Sequence, residues 1–165
     1  EIYMGDWSSD VCSSDLTKTP PAAPPAAPGS SFTLDTAQLA SVLGHRGTVN
    51  GGVYQVSVPR AETIRDHGME VPPAMGVATV INFQPTTAGK AAITGDFVLL
   101  ADEVNPVLRE LRDAGIAVTA LHSHMLGETP RLFFMHFWAN DDAVKLTRGL
   151  RAALDRTNVQ KASSR

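Results

Sequence analysis

From Lys90 to Leu154 the apolar residues change period in the order strand, helix, strand, strand, helix, and few architectures accommodate that order. Val77 to Phe83 and Lys90 to Leu100 alternate as strands, joined by a turn at Pro85 to Gly89. Asp102 is placed to cap a helix whose apolar positions Val104, Val107, Leu108 and Leu111 fall at i, i+3, i+4 and i+7. Pro106 sits in its first turn, where a missing N–H costs little, and Gly115 ends it. Ile116 to His124 and Arg131 to Trp138 read as two more strands, joined by a loop containing Gly127 and Pro130. Asn140 is the expected cap of a last helix, with Asp141 and Asp142 at its positive end and Ala143, Leu146, Leu150 and Leu154 along one face. This order is most of a split β-α-β unit. It predicts an α+β domain of the ferredoxin-like kind, an antiparallel sheet with helices packed on one face.

Upstream, Asp35 and Gln38 form a capping box for a short helix, with Leu34 set to staple against Leu39 and Gly44 as its stop. Thr48-Val49 and Val53 to Val58 flank Asn50-Gly51-Gly52, a hairpin signal. Pro59 to Gly76, broken by Gly68, Pro72 and Pro73, reads as mostly irregular. The folded unit is therefore expected over residues 32–157 as a single α+β domain, with 158–165 as a disordered tail.

Residues 1–16 have neither helical nor strand periodicity and no secretory layout. Asp6 to Leu16 resembles one reading frame of a common DNA-sequencing adapter, so this stretch is read as artefactual or disordered, and Trp7 and Cys12 receive no role. Thr17 to Ser31, with five prolines, reads as an extended Pro/Ala-rich linker that cannot join a core. Discounting Glu1, Asp6, Asp10 and Asp15 moves the formal charge from −3 to +1. Neither value makes an electrostatic case for nucleic acid. A single cysteine excludes an internal disulfide and a multi-cysteine zinc site, and no apolar run is long enough to span a membrane.

The chemistry-bearing residues gather in the last two strands. His122 and His124 are two apart on one strand and so share a face, roughly 7 Å apart at the backbone. In the next strand Leu132, Phe134, His136 and Trp138 share a face. If the hairpin pairs His124 with Leu132, His136 lies opposite Ala120 and diagonal to His122. All three imidazoles then project from one face, which suits a divalent metal such as Zn(II) with an open coordination position. A slip of one residue would move His136 to the other side. Glu128 and Asp96 are the candidate catalytic carboxylates, as a further ligand or general base. An acid within an apolar strand, as Asp96 is, needs a partner or a polar face. Arg60 and Arg131 read as salt-bridging residues, His45 and His67 as loop residues. No Ser-His-Asp order, Gly-rich phosphate loop or basic stripe stands out.

The string His122-Ser-His124-Met-Leu-Gly-Glu128 fits the His-x-His-x3-Glu core of the cupin metal motif, but cupins are all-β barrels and this segment lies between two helices. Thr94-Gly-Asp-Phe-Val-Leu-Leu-Ala-Asp-Glu-Val-Asn-Pro-Val107, Val118-Thr-Ala-Leu-His-Ser-His124 and Glu128-Thr-Pro-Arg-Leu-Phe-Phe-Met-His136 are similar to the bacterial LppY/LpqO family, as are Val53-Tyr54 and Val58-Pro59-Arg60. The resemblance covers about residues 39–157. It implies an envelope-associated, extracytoplasmic protein with a lipoprotein-like tether, no settled biochemical function, and relatives often built of two related halves. Three readings follow. The first is an exported domain binding a divalent metal or small ligand through its histidine face. The second is a metal-dependent enzyme with Glu128 or Asp96 as base. The third is an envelope-protein interaction module with structural histidines.

Overall fold

In the computed structural model, which describes residues 33–161, Gln38 N–H donates to Asp35 Oδ1 at 3.0 Å and starts α1 (Thr36–Leu43). The expectations for residues 1–16 and 17–31, for Phe32 and for the last four residues lie outside the described part. Gly44, at φ 80°, closes α1 as expected. The hairpin β1 (Thr48–Asn50) and β2 (Val53–Pro59) turns through Gly51 and Gly52, both at positive φ. The stretch read as irregular contains a second small hairpin, β3 (Arg65–Asp66) and β4 (Met69–Glu70), turning at His67-Gly68, again with both φ positive. A 3-10 turn (Pro73–Met75) follows, and the remaining elements are β5 (Ala78–Pro85), β6 (Lys90–Leu99), α2 (Ala101–Asp113), β7 (Ala117–His122), β8 (Phe133–Asp142) and α3 (Ala143–Leu154).

The main sheet has the order β1-β2-β5-β6-β8-β7, and every neighbouring pair is antiparallel. β6 and β7 both oppose β8, so they run parallel with β8 inserted between them and α2 as their crossover. That is the split β-α-β unit. β5 flanks β6 on its other side.

One face of the sheet is covered by the three helices. Val56, Ile81, Phe83, Ile93, Phe97, Met135 and Phe137 pack there against Leu39 and Leu43 of α1, Val107 and Leu111 of α2, and Leu146, Leu150 and Leu154 of α3. α3 and the end of α2 approach closely, since a Cβ on Gly149 would lie 2.4 Å from the Ala114 Cβ. Residues of opposite parity form the other face. At one end it holds a smaller buried cluster of Ile64, Val77, Val98, Leu132 and Phe134. Loops cover this cluster, tied together by Arg65 and Thr129, whose N–H groups donate to each other's carbonyls at 2.9 and 2.8 Å. The rest of that face is open.

Of the three expected N-caps, Asp35 holds and the other two move. The residue before α2 is Leu100, whose N–H is accepted by Glu103 Oε2 at 2.8 Å, while Asp102 sits exposed in the first turn. Glu103 wins because Arg60 holds it in place. The buried guanidinium donates to both Glu103 oxygens (2.6 and 3.0 Å), to both Glu62 oxygens and to the Val98 carbonyl. Asn140 does not cap α3. It stays in β8 opposite Ala92 because the β6–β8 ladder continues to Lys90–Asp142, and Asp142 takes the cap by accepting Lys145 N–H at 2.8 Å. Past Thr157 the chain is attached. Ala61 N–H donates to Asn158 O, Gln160 N–H to Pro59 O, and Asn158 N–H to Glu103 Oε1.

Candidate metal centre

The site depends on register, and the register is the one that aligns the histidines. Ala120 pairs with His136 and His122 with Phe134. A bulge between Val118 and Ala120 shifts the pairing nearer the strand start and leaves this part intact. β7 ends at His122, so His124 projects from the first turn of the following loop. Ser123 Oγ–H anchors that turn on the Leu132 carbonyl at 3.1 Å.

Three imidazoles meet through Nε2. His122 Nε2 lies 3.1 Å from His124 Nε2 and 3.3 Å from His136 Nε2, and the ligand atoms of all three fall within 4.8 Å of one another. Tetrahedral nitrogens about 2.0–2.1 Å from a zinc ion stand about 3.3–3.4 Å apart, so the spacing around His122 is that of ligands around one ion. An alternative network within the cluster is poor. A neutral imidazole has one lone pair, so His122 Nε2 can accept well from only one of its two neighbours. The Phe134 ring supports the cluster, stacking against His124 with centroids 3.6 Å apart and planes 12° from parallel. The sequence places Phe134 on this face by period but offers no sign of the stacking.

At His124 the surroundings favour the neutral imidazole. Burial pushes the His124 pKa below its ordinary value, helped by His122 and His136 and opposed by Asp96. Asp96 lies across from His136 in the β6–β8 ladder. Burial raises its carboxyl above the usual range, against the pull of His136 and His124. It flanks the cluster and contributes none of the three converging atoms.

Glu128 faces elsewhere. Its side chain is fully buried within its own loop, where Oε1 accepts Leu132 N–H at 2.9 Å and Oε2 accepts from Arg131 at 3.2 Å. Both oxygens brace the loop that carries His124, and Glu128 is not among the converging groups. This also parts the chain from the cupin pattern, whose motif would bring that Glu to the metal, and the open, helix-covered sheet is not an all-β barrel. Arg60 and Arg131 are both in ion pairs. His45 is buried near the end of α1, and burial together with Arg151 lowers its pKa. His67 is exposed at the small hairpin turn.

Fold and site define a class: an α+β domain with a three-histidine cluster on the uncovered face of its sheet. A family model described as Domain of Unknown Function (DUF1259) matches residues 37–156, and the chain belongs to that family. No curated protein and no solved structure matches it.

Proposed function

We propose that this domain binds one divalent metal ion, zinc or a similar ion, through His122, His124 and His136. The observation that carries this reading is the convergence of three imidazoles on a solvent-facing surface, with the Nε2 atoms of His124 and His136 each at ligand spacing from His122 and all three ligand atoms within 4.8 Å. Three protein ligands leave a fourth position for water or a small ligand. The test is elemental analysis of the full chain purified without a histidine tag. About one ion per chain, lost in the variant His122→Ala with His124→Ala, supports the reading. A metal-free chain that takes up no zinc on dialysis overturns it.

One observation favours a metal-dependent enzyme as a second reading. Asp96 stands beside His136 with its carboxyl raised towards the range of a general base, and a bound metal would lower the pKa of its water. Glu128, committed to its loop, is not the base in this reading. The likeness to the LppY/LpqO family and the Pro/Ala-rich run support an extracytoplasmic, envelope-tethered location. Among the described residues no helix is long and apolar enough to cross a membrane. Fractionation of cells expressing the native gene tests the location, and recovery in the cytoplasm overturns it.

A further inference from the structure

Beside the histidines, the open face carries a row that the metal reading does not use. Gln55 pairs with Asn82, Asn82 with Thr94 and Thr94 with Trp138, so four side chains on four adjacent strands form a line across the sheet. Their parity is opposite to that of Tyr54, Val56, Ile81, Phe83, Ile93 and Phe137 in the helix-side core, which places all four on the uncovered face. The next row holds Gln84, Ala92 and Asn140. None of these seven positions carries a charge, whereas an ordinary solvated surface mixes Lys, Arg, Asp and Glu at about a quarter or more of its positions. The line ends on an indole that is 50 % exposed. Gln55 Nε2 donates to Asn82 Oδ1 at 2.8 Å, which presets both amides and leaves the Gln55 carbonyl and the Asn82 amino group uncommitted to that bond. The Thr94 hydroxyl and the Trp138 indole N–H have no partner among the described residues.

We propose that this row is a binding platform for a neutral, polyhydroxylated chain, a short oligosaccharide. Uncharged groups that both donate and accept match vicinal hydroxyls, and a half-exposed indole offers its face to the C–H side of a sugar ring. Three strand spacings give the row a length of about 14 Å, the reach of a short oligosaccharide rather than a monosaccharide. Trp138 lies two residues from His136 on β8, about 7 Å along the strand, so the indole end of the row adjoins the histidine cluster. The platform itself needs no metal, and it extends the metal reading by naming what that centre would meet.

The test titrates the full chain, metal-loaded, with cellotetraose, maltotetraose and the N-acetylglucosamine tetramer. Trp7→Phe makes Trp138 the sole indole for fluorescence, and calorimetry serves the variants. Saturable binding of at least one tetrasaccharide is expected, with Trp138→Ala weakening it about tenfold. Thr94→Val should weaken it roughly threefold or more, and Trp138→Phe should keep most of the affinity. Trp138 is half exposed, and melting curves confirm that its variants fold. No saturation by any of the three at about 10 mM, or binding indifferent to both Trp138→Ala and Thr94→Val, overturns the proposal. Metal content measured on the same samples separates the two readings. Sugar binding by a chain that takes up no metal supports the platform and sinks the metal site; metal binding without sugar binding does the reverse.

Discussion

Two polar clusters lie in this domain, and they are built on opposite terms. Around Arg60 every donor has its acceptor. The guanidinium is shared by two carboxylates and a carbonyl, and Glu103 also accepts the Leu100 and Asn158 N–H groups. The network ties β2, β6, the start of α2 and the chain after α3 together, and it leaves nothing for a ligand. Around His122 three groups of one kind face one point, with the Asp96 carboxyl alongside as the acidic group that interacts with His124 and His136. A matched cluster holds a fold together, whereas like groups gathered at one point add no such pairing.

The largest effect expected from breaking this contrast is on stability. Arg60→Met strands Glu103 as a buried charge and should cost about 3–5 kcal/mol, read as a drop in the denaturation midpoint. Adding Glu103→Gln removes the stranded charge while keeping an acceptor for the Leu100 or Asn158 N–H, and the pair of changes should recover part of that loss. A single variant as stable as the parent would show that the network is not structural. Metal uptake by the folded fraction should be unchanged.

His122→Ala should do the converse. Zinc affinity falls by more than the about 10–100-fold that removal of a group merely supporting a ligand costs, while metal-free stability barely moves. A large loss of metal-free stability would instead assign the histidines to the fold, as the interaction-module reading requires.

Asp96→Asn separates support from structure on a smaller scale. Because the fold raises the Asp96 pKa, it favours the protonated acid, and ionisation at neutral pH works against folding. The amide should raise the metal-free melting temperature slightly at pH 7 and not at pH 3. It should weaken zinc binding by about tenfold or more if the carboxylate steadies His136. Unchanged affinity would confine Asp96 to a bystander's role.

The smallest effect is a pH slope. His124 has its pKa depressed in the fold, so the unfolded chain binds its proton more readily. The stabilisation this brings is present above about pH 6.5 and is lost as pH falls through the lowered folded value. The metal-free chain should melt at a lower temperature in that interval, and His124→Gln should flatten the slope. Zinc affinity should decline over the same range, because ligating imidazoles must be neutral. A melting temperature flat from pH 7.5 to 5 would contradict the depressed value.

Much of the architecture was legible because hydrophobic period reports burial, and burial is what sheets and helices are built to achieve. The strand, helix, strand, strand, helix order could be read this way, as could Asp35, Gly44 and the Gly51-Gly52 turn. The His122/His136 register stayed conditional in the sequence, and the β7–β8 ladder, which keeps Met135 and Phe137 on the helix side, decided it. Less legible were features set by competition between distant groups. Asp102 and Asn140 are sound local caps, yet Arg60, forty-three residues from Glu103, and a ladder running to Lys90–Asp142 overruled them. Glu128 resembled a ligand in the string His-x-His-x3-Glu, and its burial under Arg131 and Leu132 left no local trace. The attachment of Asn158 to Gln160 rests on a β-edge nearly a hundred residues earlier.

Sequence by itself determined the α+β class, the order of the main elements and the shared side of His122 and His124, since periods of 2 and 3.6 are written residue by residue. Only the tertiary structure decided that His136 joins them with two Nε2–Nε2 distances at ligand spacing, that Glu128 turns away while Asp96 stays beside His136, and that an uncharged row ending on Trp138 adjoins them. Those outcomes depend on which backbone groups and charges satisfy one another across the fold, and no local pattern encodes that choice.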